Sequence, residues 1–353
     1  MSSSTGAPER RLRQMVEALK GKRRLLVLTH DNPDPDCIAS GWALTRVVRK
    51  VKRMRVDFAY AGIIGRNENR TLAEVLRVPI RPLHQIDLSS YDSFALVDSQ
   101  PGTGNNSLPE GVLPTIVIDH HPCRELTRSV PFYDVREEYG ATASMLAEYL
   151  EAAQVKVDKR LATALFYAIK SETQNLGRES SRADFRAFLR FFPLVDNVAL
   201  SRIEHPPIPR SYFAMFDQAI SGTETHGRVA VTKLGSVSNP DIVAQFADLI
   251  VRMEGIRWAF TIGRYGGDIL LSARTNLPHA NAGSVIQKVV GKLGKAGGHG
   301  MMAGGKVPAA ASTPDRAREM EKLLKLRILK ILRAPAAGAQ LVAPEVPSGA
   351  LTR

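Results

Sequence analysis

Short apolar runs, each broken off by an acidic or histidine-bearing turn, recur through the first 120 residues and limit the fold more than any other feature. Leu25-Leu26-Val27-Leu28-Thr29 ends in His30-Asp31-Asn32-Pro33, Phe94-Ala95-Leu96-Val97 ends in Asp98, and Thr115-Ile116-Val117-Ile118 ends in Asp119-His120-His121. Unbroken apolar runs closed by turn residues suit strands buried on both faces, as in a parallel sheet. A further run, RVDFAY, covers 55–60. Helical patterns at about 9–20, 38–50, 142–153, 159–170 and 182–191 alternate with or follow these runs. Strands alternating with helices predict an α/β domain with a parallel sheet and helices on both faces.

The pattern changes around Ile203–Arg210, where Pro206, Pro207 and Pro209 can neither extend a helix nor sit inside a sheet. With 353 residues the chain exceeds the usual size of one core. The expected layout is a frayed end and basic helix over 1–20, a first domain over 21–200, a linker over 201–212, a smaller α/β domain over 213–333 and a disordered tail over 334–353. In the second domain, strands are predicted at about 228–233, 257–264 and 268–273, with helices at about 241–254, 281–294 and 315–333; Gly266-Gly267 reads as a two-residue hairpin turn. A hydrophobic content of 44% excludes global disorder, and the excess of 48 Lys and Arg over 35 Asp and Glu, a net +13, points to a polyanionic partner. Cys37 and Cys123 are the two cysteines, too few for a disulfide framework. No run approaches a membrane span and the first residues carry no secretory pattern, so a soluble cytoplasmic protein with no membrane partner is expected.

The chemistry gathers where the strands end. Ligands of open α/β sheets bind beyond the carboxyl ends of strands, and there lie His30, Asp34 and Asp36, then Asp98, then Asp119, His120 and His121, while Glu172 interrupts an apolar stretch further on. Alone, each piece reads more plainly as a solvated loop, a capped turn or a helix-end charge. Together, imidazoles and several carboxylates form the donor set of an Mn²⁺-like ion, are too many for one tetrahedral zinc, and include no thiolate. Two ions sharing a bridging carboxylate would use them and would suit phosphoryl chemistry. A second cluster packs Gly291, Gly294, Gly297, Gly298, Gly300, Gly304 and Gly305 around His299, with Arg274 upstream. Unobstructed backbone N–H groups and a forked guanidinium fit a phosphate, although a flexible loop accounts for the glycines equally well.

His30-Asp31-Asn32-Pro33-Asp34-Pro35-Asp36, Asp98 and Asp119-His120-His121-Pro122 resemble the ordered motifs of the DHH phosphoesterase superfamily. Ala296-Gly297-Gly298-His299-Gly300-Met301-Met302-Ala303-Gly304, with Ser272 and Arg274, resembles the glycine-rich signature of its associated substrate domain. The resemblance implies that His30 and Asp34 hold one metal, that Asp36, His120 and Glu172 hold another, and that Asp98 bridges them. It implies that Asp119 orients the ligand imidazole, that His121 faces the substrate phosphate, and that Ser272, Arg274, Gly297, Gly298 and His299 bind substrate. Departures are Glu172, where the family usually has Asp, and Ala296 and Met302 in the glycine signature. The two-domain layout is most similar to the nano-RNase and 3′-phosphoadenosine 5′-phosphate phosphatase branch. The resemblance thus implies a two-Mn²⁺ hydrolase, with Mg²⁺ or Co²⁺ as substitutes, in which metal-bound hydroxide attacks oligoribonucleotides, 3′-phosphoadenosine 5′-phosphate or dinucleotides, as a homodimer. The alternatives are a catalytically altered nucleotide-binding regulator and a phosphatase of small polyphosphates.

Overall fold

A computed structural model describes residues 6–308 and 312–341, which divide into two compact units, Met1–Pro207 and Ile208–Arg353. The division falls in the proline segment.

The first unit runs α1 (Ala7–Ala18), β1 (Arg24–Leu28), α2 (Pro35–Val51), β2 (Arg55–Tyr60), α3 (Asn67–Val75), β3 (Arg81–Pro82), β4 (Ser93–Val97), β5 (Ile116–Asp119), β6 (Phe132–Val135), α4 (Thr142–Ala152), α5 (Lys159–Glu172), α6 (Arg182–Phe191) and α7 (Asn197–Glu204). Its six strands are all parallel, in the order β3-β2-β1-β4-β5-β6. Alternate residues of a strand point to opposite faces. Leu25 and Val27 therefore join Val56, Phe58, Ala95, Val97, Ile116 and Ile118 beneath the helical layer, whose contributions include Ile38, Trp42, Leu146 and Leu165. Leu26, Leu28, Leu96 and Val117 face the other way and are covered by Leu83, Ile86, Leu88, Leu108 and Val112 from short turns. The expected α/β architecture is present, with turns rather than long helices closing that second face. The edge strands β3 and β6 were not foreseen, being only two and four residues long.

The second unit runs α8 (Arg210–Ser221), β7 (Thr223–His226), β8 (Val229–Ser236), α9 (Asp241–Ile250), β9 (Trp258–Tyr265), β10 (Asp268–Thr275), α10 (Ala282–Val290), β11 (Lys295–His299), β12 (Met302–Val307), α11 (Pro314–Leu332) and β13 (Ala339–Gln340). Seven strands are ordered β11-β12-β10-β9-β8-β7-β13, with β8 and β9 parallel around α9 and the other pairs antiparallel. One face packs on α10 and α11 through Phe260, Ile262, Leu271, Ile286, Val289, Leu324 and Ile328. The other carries Ala219 of α8 with Ile242, Val243 and Phe246 of α9. Gly266 and Gly267 both take positive φ, 57° and 85°, as a tight turn between antiparallel strands requires.

Two expectations need amendment. The glycine cluster is not a loop: Gly297 and Gly298 lie in β11, opposite Gly304 and Ala303 of β12. Gly298 and Gly305 serve close packing, since a Cβ on Gly305 would lie 2.9 Å from a Val290 methyl and one on Gly298 only 2.4 Å from the Met302 carbonyl oxygen. In the segment expected as tail, Ala339 and Gln340 pair with Thr225 and Glu224 of β7; residues 342–353 lie outside the described residues.

Candidate metal centre

Asp34 is the N-cap of α2: its Oδ1 accepts from the backbone N–H of Cys37 at 3.1 Å, and Pro35 begins the helix with a φ already suited to it. One turn of chain thereby fixes His30 before the helix and Asp36 inside it. The Asp36 carboxylate is fully buried and accepts from the first two N–H groups of α4, Thr142 at 2.7 Å and Ala143 at 2.8 Å. These are donors that a helix cannot satisfy internally, and they favour an anion.

Asp98 follows β4 with φ 56°, a strained value for a residue with a side chain, and is 3% exposed. Three imidazoles converge on it. His30 Nε2 lies 3.7 Å from Asp98 Oδ2, while His120 Nε2 and His121 Nδ1 lie 3.5 Å and 3.6 Å from Oδ1. His30 Nε2 is also 3.6 Å from Asp34, and His120 Nε2 is 4.0 Å from Asp36. Thr142 Oγ1 donates to Asp98 Oδ1 at 2.9 Å. The two oxygens of Asp98 therefore face two histidine sets.

The protons of the ligand rings are set by their outer nitrogens. His30 Nδ1 is 2.9 Å from the Asp31 carbonyl and His120 Nδ1 is 3.0 Å from the Tyr139 carbonyl. A carbonyl can only accept, so both Nδ1 atoms carry a hydrogen, and in the neutral ring Nε2 is then the nitrogen whose lone pair would face the site. His120 Nε2 is buried and makes no hydrogen bond. A buried ring nitrogen aimed at carboxylates with its lone pair unused fits a divalent cation. Tyr139 is held in turn, its hydroxyl donating to Glu148 at 2.6 Å and accepting from Arg136 at 2.7 Å.

Asp119 does not orient His120, as expected, but His121: Oδ1 accepts from the His121 Nδ1–H at 2.8 Å and from its backbone N–H at 3.2 Å. The reason is register, because the ring of His120 turns toward the Tyr139 carbonyl beyond β6. Glu172 closes α5 with its carboxylate 3.6 Å from Arg178, whose guanidinium also donates to the Glu172 carbonyl at 2.8 Å. The segment after it holds Gln174, Asn175, Leu176 and Glu179 at positive φ, an accumulation of strain beside the site.

Electrostatics show what the centre lacks. Burial, reinforced by the neighbouring carboxylates Asp98, Glu172 and Asp34, pushes Asp36 well above the ordinary carboxyl value; burial and Asp34 raise Glu172 likewise. Burial raises Asp98 too, against the opposing pull of His121. His121 is pushed up to about 10: burial opposes the shift, but the hydrogen bond to Asp119 and the Asp98 charge outweigh it. This is a pocket with too much negative charge for its own cations.

Gln100, Thr142 and Cys37 were not foreseen. Gln100 is buried, donates to Asp119 Oδ2 at 2.7 Å, and accepts from the Arg124 N–H and the Thr127 hydroxyl, each at 2.8 Å. Cys37 joins His30 and Asp34 in a group whose donor atoms all lie within 4.8 Å of one another. Its signal was the spacing of three residues from Asp34 in a helical first turn.

In the second unit, register aligns Ser272 with Gly304 and Gly297, and Arg274 with Met302 and His299. Ser272 accepts from Arg274 at 2.8 Å, and Asp248 of α9, also unforeseen, receives the other edge of the guanidinium. A Cβ added at Gly297 would meet nothing within 4 Å, so that backbone is open. The side chain of His299 lies outside the described residues.

Residues 24–169 match the DHH family, N-terminal domain, and residues 226–328 match the DHHA1 domain. An uncharacterized protein of Methanocaldococcus jannaschii is 35% identical over 319 residues, 88% of this chain, which spans 64% of that relative's length. The cyclic-di-AMP phosphodiesterase GdpP of Geobacillus thermodenitrificans is 25% identical over 305 residues, 80% of this chain and 44% of the relative. An exopolyphosphatase-related protein from Bacteroides fragilis shares the fold with a TM-score of 0.70, covering 94% of this chain and 100% of its own at 11% identity. No helix among the described residues is long and apolar enough to cross a membrane.

Proposed function

The chain belongs to the DHH phosphoesterase family and carries a DHHA1 domain behind the DHH domain, and from that premise we propose that it is a two-metal hydrolase of short nucleotide substrates. The observation that carries the reading is Asp98, with His30 on one carboxylate oxygen and His120 on the other. His30 and Asp34 would hold one divalent ion, Asp36, His120 and Glu172 the other, and Asp98 would serve both. When bound, such ions activate water and neutralise charge on a phosphoryl group.

The remaining work belongs to the chain. The N–H groups of α4 hold the Asp36 carboxyl in a fixed position beside the site. The carbonyls of Asp31 and Tyr139 keep the ligand tautomers of His30 and His120. His121, tied at Nδ1 by Asp119, would face the substrate phosphate, and Gln100 holds that pair in place. In the second unit Arg274, Ser272 and the open backbone at Gly297 suit the nucleotide's phosphate and base, once Arg274 exchanges Asp248 for the phosphate.

Nucleotides are favoured over inorganic polyphosphate because the similarity to a cyclic-di-AMP phosphodiesterase runs through 80% of the chain, beyond the first unit. The Arg178–Glu172 pair supports a second reading, nucleotide binding without turnover, because it occupies one proposed ligand. Incubation with Mn²⁺ and a panel of di- to pentaribonucleotides, cyclic dinucleotides, 3′-phosphoadenosine 5′-phosphate and pyrophosphate decides between them. Chelator-sensitive cleavage of the nucleotides is expected; tight binding without cleavage would favour the second reading, and cleavage of pyrophosphate alone would contradict the substrate class.

A further inference from the structure

We propose that Cys37 is a third protein ligand beside His30 and Asp34, and that this position accordingly selects a thiolate-accepting divalent ion, Zn²⁺ or Co²⁺, over Mn²⁺. The inference rests on the metal-centre reading and goes beyond it by naming a further donor and the class of ion.

Cys37 is completely buried, yet it faces the site rather than lying only against apolar neighbours. Its sulfur, one His30 ring nitrogen and an Asp34 oxygen are mutually within 4.8 Å, a spread that one ion with bonds of about 2.0–2.3 Å can gather with small side-chain movements. The arrangement is built into the helix start: Asp34 Oδ1 accepts from the Cys37 N–H at 3.1 Å, and the thiol donates back to the Asp34 carbonyl at 3.4 Å. Cap and thiol thus share the first turn of α2. Nitrogen and oxygen donors alone suit Mn²⁺, whereas one sulfur shifts preference toward zinc and cobalt. On ligation the S–H bond breaks, a sulfur–metal bond forms and the proton leaves to solvent; nothing is oxidised or reduced. The plainer role, a small buried hydrophobe, makes none of these predictions.

The test is a titration of the full chain, stripped with chelator, with Co²⁺ under ultraviolet–visible absorption. A thiolate-to-cobalt charge-transfer band is expected, retained in Cys123→Ser and lost in Cys37→Ser and Cys37→Ala while Co²⁺ still binds. In competition, the preference for Zn²⁺ over Mn²⁺ should fall at least about tenfold in both Cys37 variants, a scale that even the outer partners of metal ligands carry. Bound Co²⁺ without the band in the unmodified chain, which is decisive whether or not the variants fold, or a band that survives loss of Cys37, overturns the proposal and leaves the two-metal reading standing. A chain that binds no Co²⁺, Zn²⁺ or Mn²⁺ overturns both.

Discussion

Gln100 shows how much of the centre depends on side chains that touch no ion. It joins Asp119 to the Arg124 N–H and the Thr127 hydroxyl, so the loop carrying His121 cannot shift without breaking several buried hydrogen bonds. Gln100→Ala should lower turnover about 10- to 100-fold while leaving the number of bound ions unchanged, as expected of a group that acts through another; steady-state kinetics beside a Mn²⁺ titration reads both. Three of the proposed ligands stand out in the sequence because an apolar run precedes them: His30 after β1, Asp98 after β4, His120 after β5. Gln100 was hidden because its role depends on a pairing with residues 19 to 27 positions away. Cys37 was hidden by chemistry, since a buried cysteine in a helix reads as packing.

At the scale of elements, the seating of α2 on the sheet places Asp34, Asp36 and Cys37. Gly41 permits it: a Cβ there would lie 2.1 Å from the ring of Phe58 in β2, and that ring is 2% exposed with nowhere to go. Gly41→Ala should cost about 3 kcal/mol of overpacking against the ~1 kcal/mol that alanine gains in a helix. The expected net loss of about 2 kcal/mol would appear in denaturant unfolding. In the second unit Glu224 ties β7 to its surroundings. The hydrogen bond from Lys325 of α11, aided by Lys233 at 3.3 Å, holds its carboxyl below the ordinary value against the opposing effect of burial. A depressed carboxyl stabilises the fold above its unfolded value and loses that contribution as pH falls through the folded one. Glu224→Gln should therefore weaken the protein at neutral pH and converge with the unmodified protein in acid, as measured by unfolding at several pH values. Long elements such as α2, α5 and β9 were readable from periodicity. The β11–β12 hairpin was not, because glycine removes the alternation of side chains by which a strand is read.

For the molecule as a whole, a net charge of +13 should draw anionic substrates from a distance. The kcat/KM for a dinucleotide is expected to fall as salt rises from low to physiological levels, where the screening length is about 8 Å, with kcat little changed. Insensitivity of kcat/KM to salt would confine the charge to solvation. The division at Pro207 falls among Pro206, Pro207 and Pro209, which neither a helix interior nor a sheet accommodates.

Equilibrium titration of the chelator-stripped chain with Mn²⁺, followed beside Asp98→Asn, reaches the two-ion centre most directly. Two ions per chain are expected, with both affinities weakened together in Asp98→Asn because one carboxylate serves both positions. A single ion, or loss of only one in the variant, would contradict a centre built around Asp98.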